Sequence, residues 1–261
     1  MAEKLKYFVN GQFRESKTDK WYDLHNPSTG EITGQAPCCT NDEVLEAIAA
    51  AKAAYPGWRA TPAIKRAQIL YRVRELILER MDELTMSVAK ENGKVWAESE
   101  GDVLKAKEGT ELATQVPSLM MGESIMDASR GYDTVKYREP LGVFAGIVPV
   151  NFPAMIPFGW MAPTCIAAGN TLVLKAASLT PQTAMLFAQL YKDAGVPDGV
   201  INVVTCSRNE INTILEHPDV KGITFVGSTP VGLKIYEKAA ANGKRCQALC
   251  QAKNHALVME D

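Results

Sequence analysis

From Thr171 onward the chain alternates short apolar runs with helical patterns, and this alternation restricts the fold more than any other feature. Thr171-Leu-Val-Leu174, Gly199-Val-Ile-Asn-Val-Val204 and Gly222-Ile-Thr-Phe-Val226 read as strands. Between them, Thr180-Pro181 predicts a capped helix that Gly195 ends, and 207–216 a short helix stopped by Pro218. A last helix is expected from Pro230 to about Ala241. Strands alternating with helices imply βαβ units and a parallel sheet, an α/β fold whose ligands sit beyond the carboxyl ends of the strands.

Upstream, Phe8-Val-Asn-Gly-Gln-Phe13 predicts a hairpin turned at Asn10-Gly11, and Asn26-Pro-Ser-Thr-Gly30 a second turn. Thr40-Asn-Asp-Glu43 is a capping box opening a helix through about Ala54. Thr61-Pro62 opens a longer helix with Ile69, Leu70, Val73, Leu76, Ile77 and Met81 along one side. Lys65, Arg66, Arg72, Arg74 and Glu75 are expected on its solvated face. Another helix is expected from Val95 to about Gln115, and 122–140 predicts a hairpin with too little core of its own to stand alone. Such an arm fits packing on a partner subunit.

Composition removes whole classes of function. With 28 Lys and Arg against 30 Asp and Glu, the net charge of −2 offers no broad cationic surface for nucleic acid. Three histidines and no zinc-like Cys/His spacing give no metal site. Six scattered cysteines and no apolar signal core fit reduced thiols in an intracellular compartment. Pro140 to Leu174 lacks any charge, yet Pro149, Pro153, Pro157 and Pro163 each break a spanning helix. A buried, irregular inner segment is expected there, not a membrane span.

Three places can carry chemistry. In Phe225-Val-Gly-Ser-Thr-Pro-Val-Gly232 a strand ends, a turn follows, and Pro230 takes the first helical position after Thr229 as N-cap. This is either an ordinary capped helix start or an anion site, with Gly227 and Gly232 allowing a pyrophosphate and a neighbouring strand to come close. In Gly146-Ile-Val-Pro-Val-Asn-Phe-Pro153, Asn151 is either a turn stabiliser or a donor aimed at a reacting group. Lys175 ends a parallel strand, where it is either a surface residue or a nucleotide contact.

These segments, in this order along the chain, resemble the aldehyde dehydrogenase superfamily. Pro149–Pro153 is similar to the segment around the family's oxyanion-hole Asn, Leu174–Pro181 to its adenosine-ribose segment, and Phe225–Ser228 to its dinucleotide segment. Pro117-Ser-Leu-Met-Met-Gly122 and Ala252-Lys-Asn-His255 resemble the CoA-acylating methylmalonate-semialdehyde dehydrogenases. The resemblance implies a Rossmann-like parallel sheet with an oligomerisation hairpin. It implies residues 1–121 as the N-terminal strands and helices of the dinucleotide-binding domain, 122–140 as the hairpin, and 141–261 as the βαβ dinucleotide-binding core and the start of a catalytic domain that is mostly absent. Asn151 would donate to the oxyanion. Val148 and Val150 would line the cofactor, Lys175 and Ser178 would meet the adenosine ribose, and Gly227, Ser228 and Gly232 would meet the pyrophosphate. NAD is the implied cofactor, with CoA as co-substrate and an aldehyde as substrate. A dimer or tetramer, in the cytoplasm or the mitochondrial matrix, is implied as well.

Four departures qualify those expectations. The family's nucleophilic Cys lies beyond Asp261, so a catalytically inactive dinucleotide-binding protein is the competing expectation. Leu249 stands where hydrolytic members carry Glu, which favours CoA over water as acyl acceptor and disfavours a hydrolytic semialdehyde dehydrogenase. Gln251 replaces a glycine and would crowd that turn. Ser178-Leu179 replaces Glu-Arg, removing a carboxylate that would repel a 2′-phosphate, so NADP is admissible. Lys105 aligns with the subgroup's substrate-carboxylate Arg and keeps the charge without the bidentate fork.

Overall fold

The computed structural model describes residues 3–252 and 254–260. Lys253, within the Ala252–His255 motif, lies outside the described residues, as do Met1, Ala2 and Asp261. Strands β1 (Tyr7–Val9) and β2 (Gln12–Arg14) form the expected hairpin, with φ of +52° at Asn10 and +71° at Gly11. Strands β3 (Trp21–His25) and β4 (Ile32–Pro37) flank the turn at Asn26, whose side chain accepts from the Ser28 amide.

Helix α1 (Asn41–Ala60) begins with the capping box of Thr40 and Glu43 but passes the expected end at Ala54, carrying Pro56 inside it. Its last turn is pinned to the core: Tyr55 Oη donates to the Pro140 carbonyl at 2.8 Å and Trp58 Nε1 to the Ile166 carbonyl at 2.9 Å. These tertiary bonds offset the hydrogen bond that proline removes. The long helix expected after Pro62 is two helices, α2 (Ala63–Glu79) and α3 (Met81–Asn92), broken at Arg80. Arg66 is a correction to the solvated face. It is buried, and its guanidinium donates to the Ala167 and Thr61 carbonyls, satisfying a group that could not otherwise leave water. Helix α4 (Trp96–Ala113) matches the expected 95–115 and leads into the short α5 (Val116–Leu119).

The predicted arm is the hairpin β5 (Ser124–Ser129) and β6 (Tyr132–Val135), turned at Gly131 with φ +80°. Within the charge-free stretch the chain is more regular than expected. It contains strand β7 (Val143–Ile147), a π-helix (Ile156–Met161) and α6 (Ala162–Ala167). Gly159 makes the π-helix possible where it crosses α4. A Cβ on Gly109 would lie 2.2 Å from the Gly159 carbonyl oxygen, so both backbones need glycine there. Among the described residues no helix is long and apolar enough to cross a membrane.

The remaining elements are β8 (Thr171–Lys175), α7 (Gln182–Asp193), β9 (Ile201–Val204), α8 (Arg208–Glu216), β10 (Val220–Val226), α9 (Thr229–Ala241) and β11 (Arg245–Leu249). One seven-stranded sheet runs β11-β10-β7-β8-β9-β1-β2, parallel from β11 to β9 and closed by the antiparallel N-terminal hairpin. The expected parallel sheet is present, with β7 and β11 added to the strands the sequence indicated. Helices α1, α8 and α9 cover one face, and α6 and α7 backed by α2, α3 and α4 cover the other. The chain steps from β7 to β8 to β9, then returns to β10 on the other side of β7. That reversal opens a crevice at the carboxyl ends of β7 and β10.

Candidate active site at the carboxyl edge of the sheet

Strand register gathers the candidate residues at this edge. Ile147, the last residue of β7, pairs with Lys175 on one side and Phe225 on the other. The loops after β7, β8, β9 and β10 therefore leave the sheet side by side. Between α8 and α9 above them lies a cleft of about 390 Å³, walled by Ile147, Ile211, Leu215 and Ile235. Lys175, Cys206, Arg208, Lys234 and Lys238 add its polar lining. Lys175 is half-buried with no ion-pair partner among the described residues. Burial pulls its pKa down, opposed by the nearby Cys206 and Cys38. An unneutralised ammonium on an apolar floor favours an anion or a hydroxyl-rich ligand.

Of the predicted residues Lys175 alone lines this cleft; the others lie on the strand ends and loops at the same edge of the sheet. Val148 is buried in the core, 6% exposed, whereas Val150 is 43% exposed on the loop after β7. Ser178 is half-buried after β8. Helix α9 starts one residue earlier than predicted: Ser228 is its N-cap, Thr229 the first helical residue and Pro230 the second. Neither hydroxyl caps the helix, so first-turn N–H groups remain open beside the cleft that Pro230 and Val231 line. The glycines answer to packing. A Cβ at Gly227 would lie 2.5 Å from the Phe225 ring, and one at Gly232 would lie 2.4 Å from Cys250 Sγ, just beyond β11.

Asn151 is exposed and its side-chain amide has no hydrogen-bond partner among the described residues. Its loop is braced by others. The Val150 carbonyl accepts from Asn92 Nδ2 at 2.7 Å and from Thr180 Oγ1 at 3.3 Å. This also corrects the Thr180 cap. Helix α7 begins at Gln182, and its free N–H groups at Gln182 and Thr183 donate to the buried Glu91 carboxylate at 2.8 and 3.1 Å. Lys105 lies exposed on α4 and pairs with Glu108 at 2.6 Å. Gln251 is exposed and Leu249 is 43% exposed on the edge strand β11. Burial pushes the thiols of Cys39, Cys165 and Cys206 up to about 12, so they are protonated and inert at neutral pH. Among the described residues no group of three His, Cys, Asp or Glu side chains could hold a metal ion.

Sequence reasoning missed Arg208 and Lys234. Arg208 had a signal: it opens α8 directly after the capping Ser207 at the carboxyl end of β9, where an α/β sheet presents ligand contacts.

An open α/β sheet with a cation-lined cleft near its topological reversal defines the doubly wound class of α/β fold, whose ligands sit at the carboxyl edge of the strands. Residues 13–261 match the profile of the aldehyde dehydrogenase family, and the chain belongs to that family. It is similar to malonate-semialdehyde dehydrogenase 2 of Geobacillus kaustophilus, 47% identical over 260 residues that cover 100% of this chain and 54% of that protein. It is also similar to the acylating mitochondrial methylmalonate-semialdehyde/malonate-semialdehyde dehydrogenase of Homo sapiens, at 45% identity covering 98% of this chain and 48% of that one. Among solved structures, a protein of Sinorhizobium meliloti 1021 complexed with NAD superposes with a TM-score of 0.95. It is 36% identical, and the match covers 98% of this chain and 52% of that one. The chain thus spans about half the length of the curated relatives it matches.

Proposed function

We propose that this chain carries the cofactor-binding part of an NAD(P)-dependent aldehyde dehydrogenase that converts a (methyl)malonate-semialdehyde-like substrate to an acyl-CoA. The observation that carries the reading is the cleft between α8 and α9, with the unpaired Lys175 on its floor beside the open N-terminus of α9. Its apolar walls fit an adenine, Lys175 a ribose, and the first-turn N–H groups a pyrophosphate. The relative crystallised with NAD supports the same cofactor.

In this reading Lys175 and Ser178 hold the ribose, and the α9 N-terminus and Gly227-Ser228 fix the phosphates. Val150 borders the dinucleotide, and Gly232 lets α9 pack close to β11. When bound, the nicotinamide supplies the hydride acceptor. Asn151, free of internal bonds, turns its amide N–H to the carbonyl oxygen of the aldehyde as that oxygen gains charge. Leu249 supplies no base to activate water, which supports a CoA thiol as acyl acceptor. A homo-oligomer joined through 122–140, in the cytoplasm or mitochondrial matrix, completes the proposal. The competing reading is a dinucleotide-binding protein without catalysis. Burial raises the thiol pKa of Cys39, Cys165, Cys206 and Cys246, so these four offer no ready thiolate nucleophile, which favours that reading.

Calorimetric titration of NAD and NADP tests the site directly. NAD binds in the expected result, and NADP binds within roughly tenfold, about 1.4 kcal/mol. Ser178 brings no carboxylate against a 2′-phosphate, and Arg208 is a guanidinium among the cleft's cations, able to meet a phosphate with two N–H groups. Ser178→Glu and Arg208→Ala should each weaken NADP more than NAD. Equal losses for the two dinucleotides, or no binding of either, overturn the assignment.

A further inference from the structure

Four side chains at the corner between α3 and α4 converge on the segments that follow β7 and β8 at the carboxyl edge of the sheet. Asn92 donates to the Val150 carbonyl at 2.7 Å. Lys94 lies 3.9 Å over the Phe152 ring centroid and 3.1 Å from Asp102 Oδ2. Asp102, whose side chain is fully buried, accepts from the Met155 amide at 2.7 Å. The Asn151 loop is therefore held immediately before, immediately after and four residues beyond the asparagine, while the Asn151 amide stays free. Glu91, next to Asn92, accepts from the Gln182 and Thr183 amides at the start of α7. Thr180, just before that start, donates to the same Val150 carbonyl as Asn92. Two adjacent residues of α3 thus tie together loops that lie about thirty positions apart in sequence.

We propose that Glu91, Asn92, Lys94 and Asp102 form a positioning clamp that fixes the Asn151 loop and the start of α7 in one relation, setting the reacting-group donor against the cofactor-side loop. The proposal rests on the functional reading above, because that reading makes Asn151 a donor and Lys175-Ser178 a cofactor contact. None of the four lines the cleft; Glu91, Asn92 and Asp102 act through backbone groups, and Lys94 acts through the Phe152 ring and Asp102. The chemistry suits the task. Buried carboxylates hold N–H groups by charge-assisted bonds that are strong in a dry interior. A cation over an aromatic face orients Phe152 without occupying the cleft.

Amide hydrogen exchange on the intact chain at pH 8, read by peptide, tests the clamp whether or not a dinucleotide binds. Glu91→Gln leaves one acceptor where two N–H groups need one each. Exchange at Gln182 and Thr183 should accelerate about tenfold, and exchange at 150–155 should accelerate severalfold, although Glu91 touches no atom of that loop. Lys94→Met should loosen 150–155 by about tenfold, and Lys94→Arg should restore it, because Arg still meets Asp102 and Phe152. Leu172–Leu174 in β8 should not change in any variant. An effect of Glu91→Gln confined to 182–183 overturns the coupling. Acceleration spread through β8 overturns a positioning role in favour of general stability, and failure of Lys94→Arg to rescue overturns the role of the cation. Coupled exchange in the variants together with no NAD binding by wild type keeps the clamp and removes the functional reading.

Discussion

The parallel core from β7 to β10 and the hairpin β5–β6 are neighbours in sequence and opposites in physics. In β8, Leu172, Val173 and Leu174 are all fully buried, whereas every residue from Met121 to Glu139 is exposed. The core strands bury both faces against helices, so their conformation follows from this chain alone. Among the described residues the hairpin's strands pair with each other alone, across a register shift between Ile125 and Ser129. A lone two-stranded ribbon is marginal in water, so its apolar side chains gain from folding only when something else covers them. The difference separates a region that makes the fold from a region that the fold carries outward.

The largest expected effect lies in the core. Leu174→Ala removes a fully buried side chain one residue before Lys175 and should cost about 2–5 kcal/mol by denaturant unfolding. A cost below about 1 kcal/mol would mean the sheet collapses around the gap, and the contrast with the hairpin would weaken.

Much of this core was legible because its signals are local. Asn10-Gly11, the Thr40–Glu43 capping box and the β8–α7–β9–α8–β10 alternation each sit within a few residues of the structure they specify. What was hidden depends on partners far away. Strand β7 lies in a proline-rich, charge-free run whose composition favours no element, and only pairing with β8 and β10 makes it a strand. Helix α1 survives Pro56 through Tyr55 and Trp58, which bond to residues 85 and 108 positions away. Arg66 belongs to a charged helical face by periodicity, yet it reaches carbonyls that tertiary packing would leave unpaired. Of the proposed site, the places of Lys175 at a strand end and of Asn151 in a loop could be read from strand ends and motifs. The Glu91 cap could not, because a carboxylate serving an N-terminus 91 residues later leaves no local pattern.

Glu91 makes the core pH-sensitive, an effect of intermediate size. Its carboxyl is raised from 4.5 to about 7, first by burial, with Asp102 adding repulsion and the bonds from Thr183 and Gln182 opposing. Between pH 4.5 and 7 the folded chain holds a proton that the unfolded chain has released, so stability must fall as pH rises through this window. Above pH 7 the loss is complete. Unfolding at pH 5 and pH 8 should show wild type losing on the order of 2–3 kcal/mol relative to Glu91→Gln. A constant difference between the two proteins would mean that Glu91 titrates normally. Glu91→Gln should thus loosen the start of α7 at pH 8 while its global stability varies less with pH than that of wild type.

The smallest effect on stability, and the sharpest test of the comparison, belongs to the hairpin. Ile125 is 61% and Tyr132 72% exposed, and neither belongs to the core cluster. Replacing both with Ser should change the unfolding free energy of the dilute chain by less than about 0.5 kcal/mol, as for surface positions away from special features. If a second copy of the chain covers the arm, the same substitutions remove apolar area from an interface, and the mass measured by sedimentation should fall toward the single-chain 28.4 kDa. A destabilisation of several kcal/mol with unchanged mass would show that the arm packs on its own chain, and the two regions would no longer differ in kind. Unchanged stability together with unchanged mass would leave the core as the sole determinant of assembly. The arm's apolar residues would then need a partner other than a second copy.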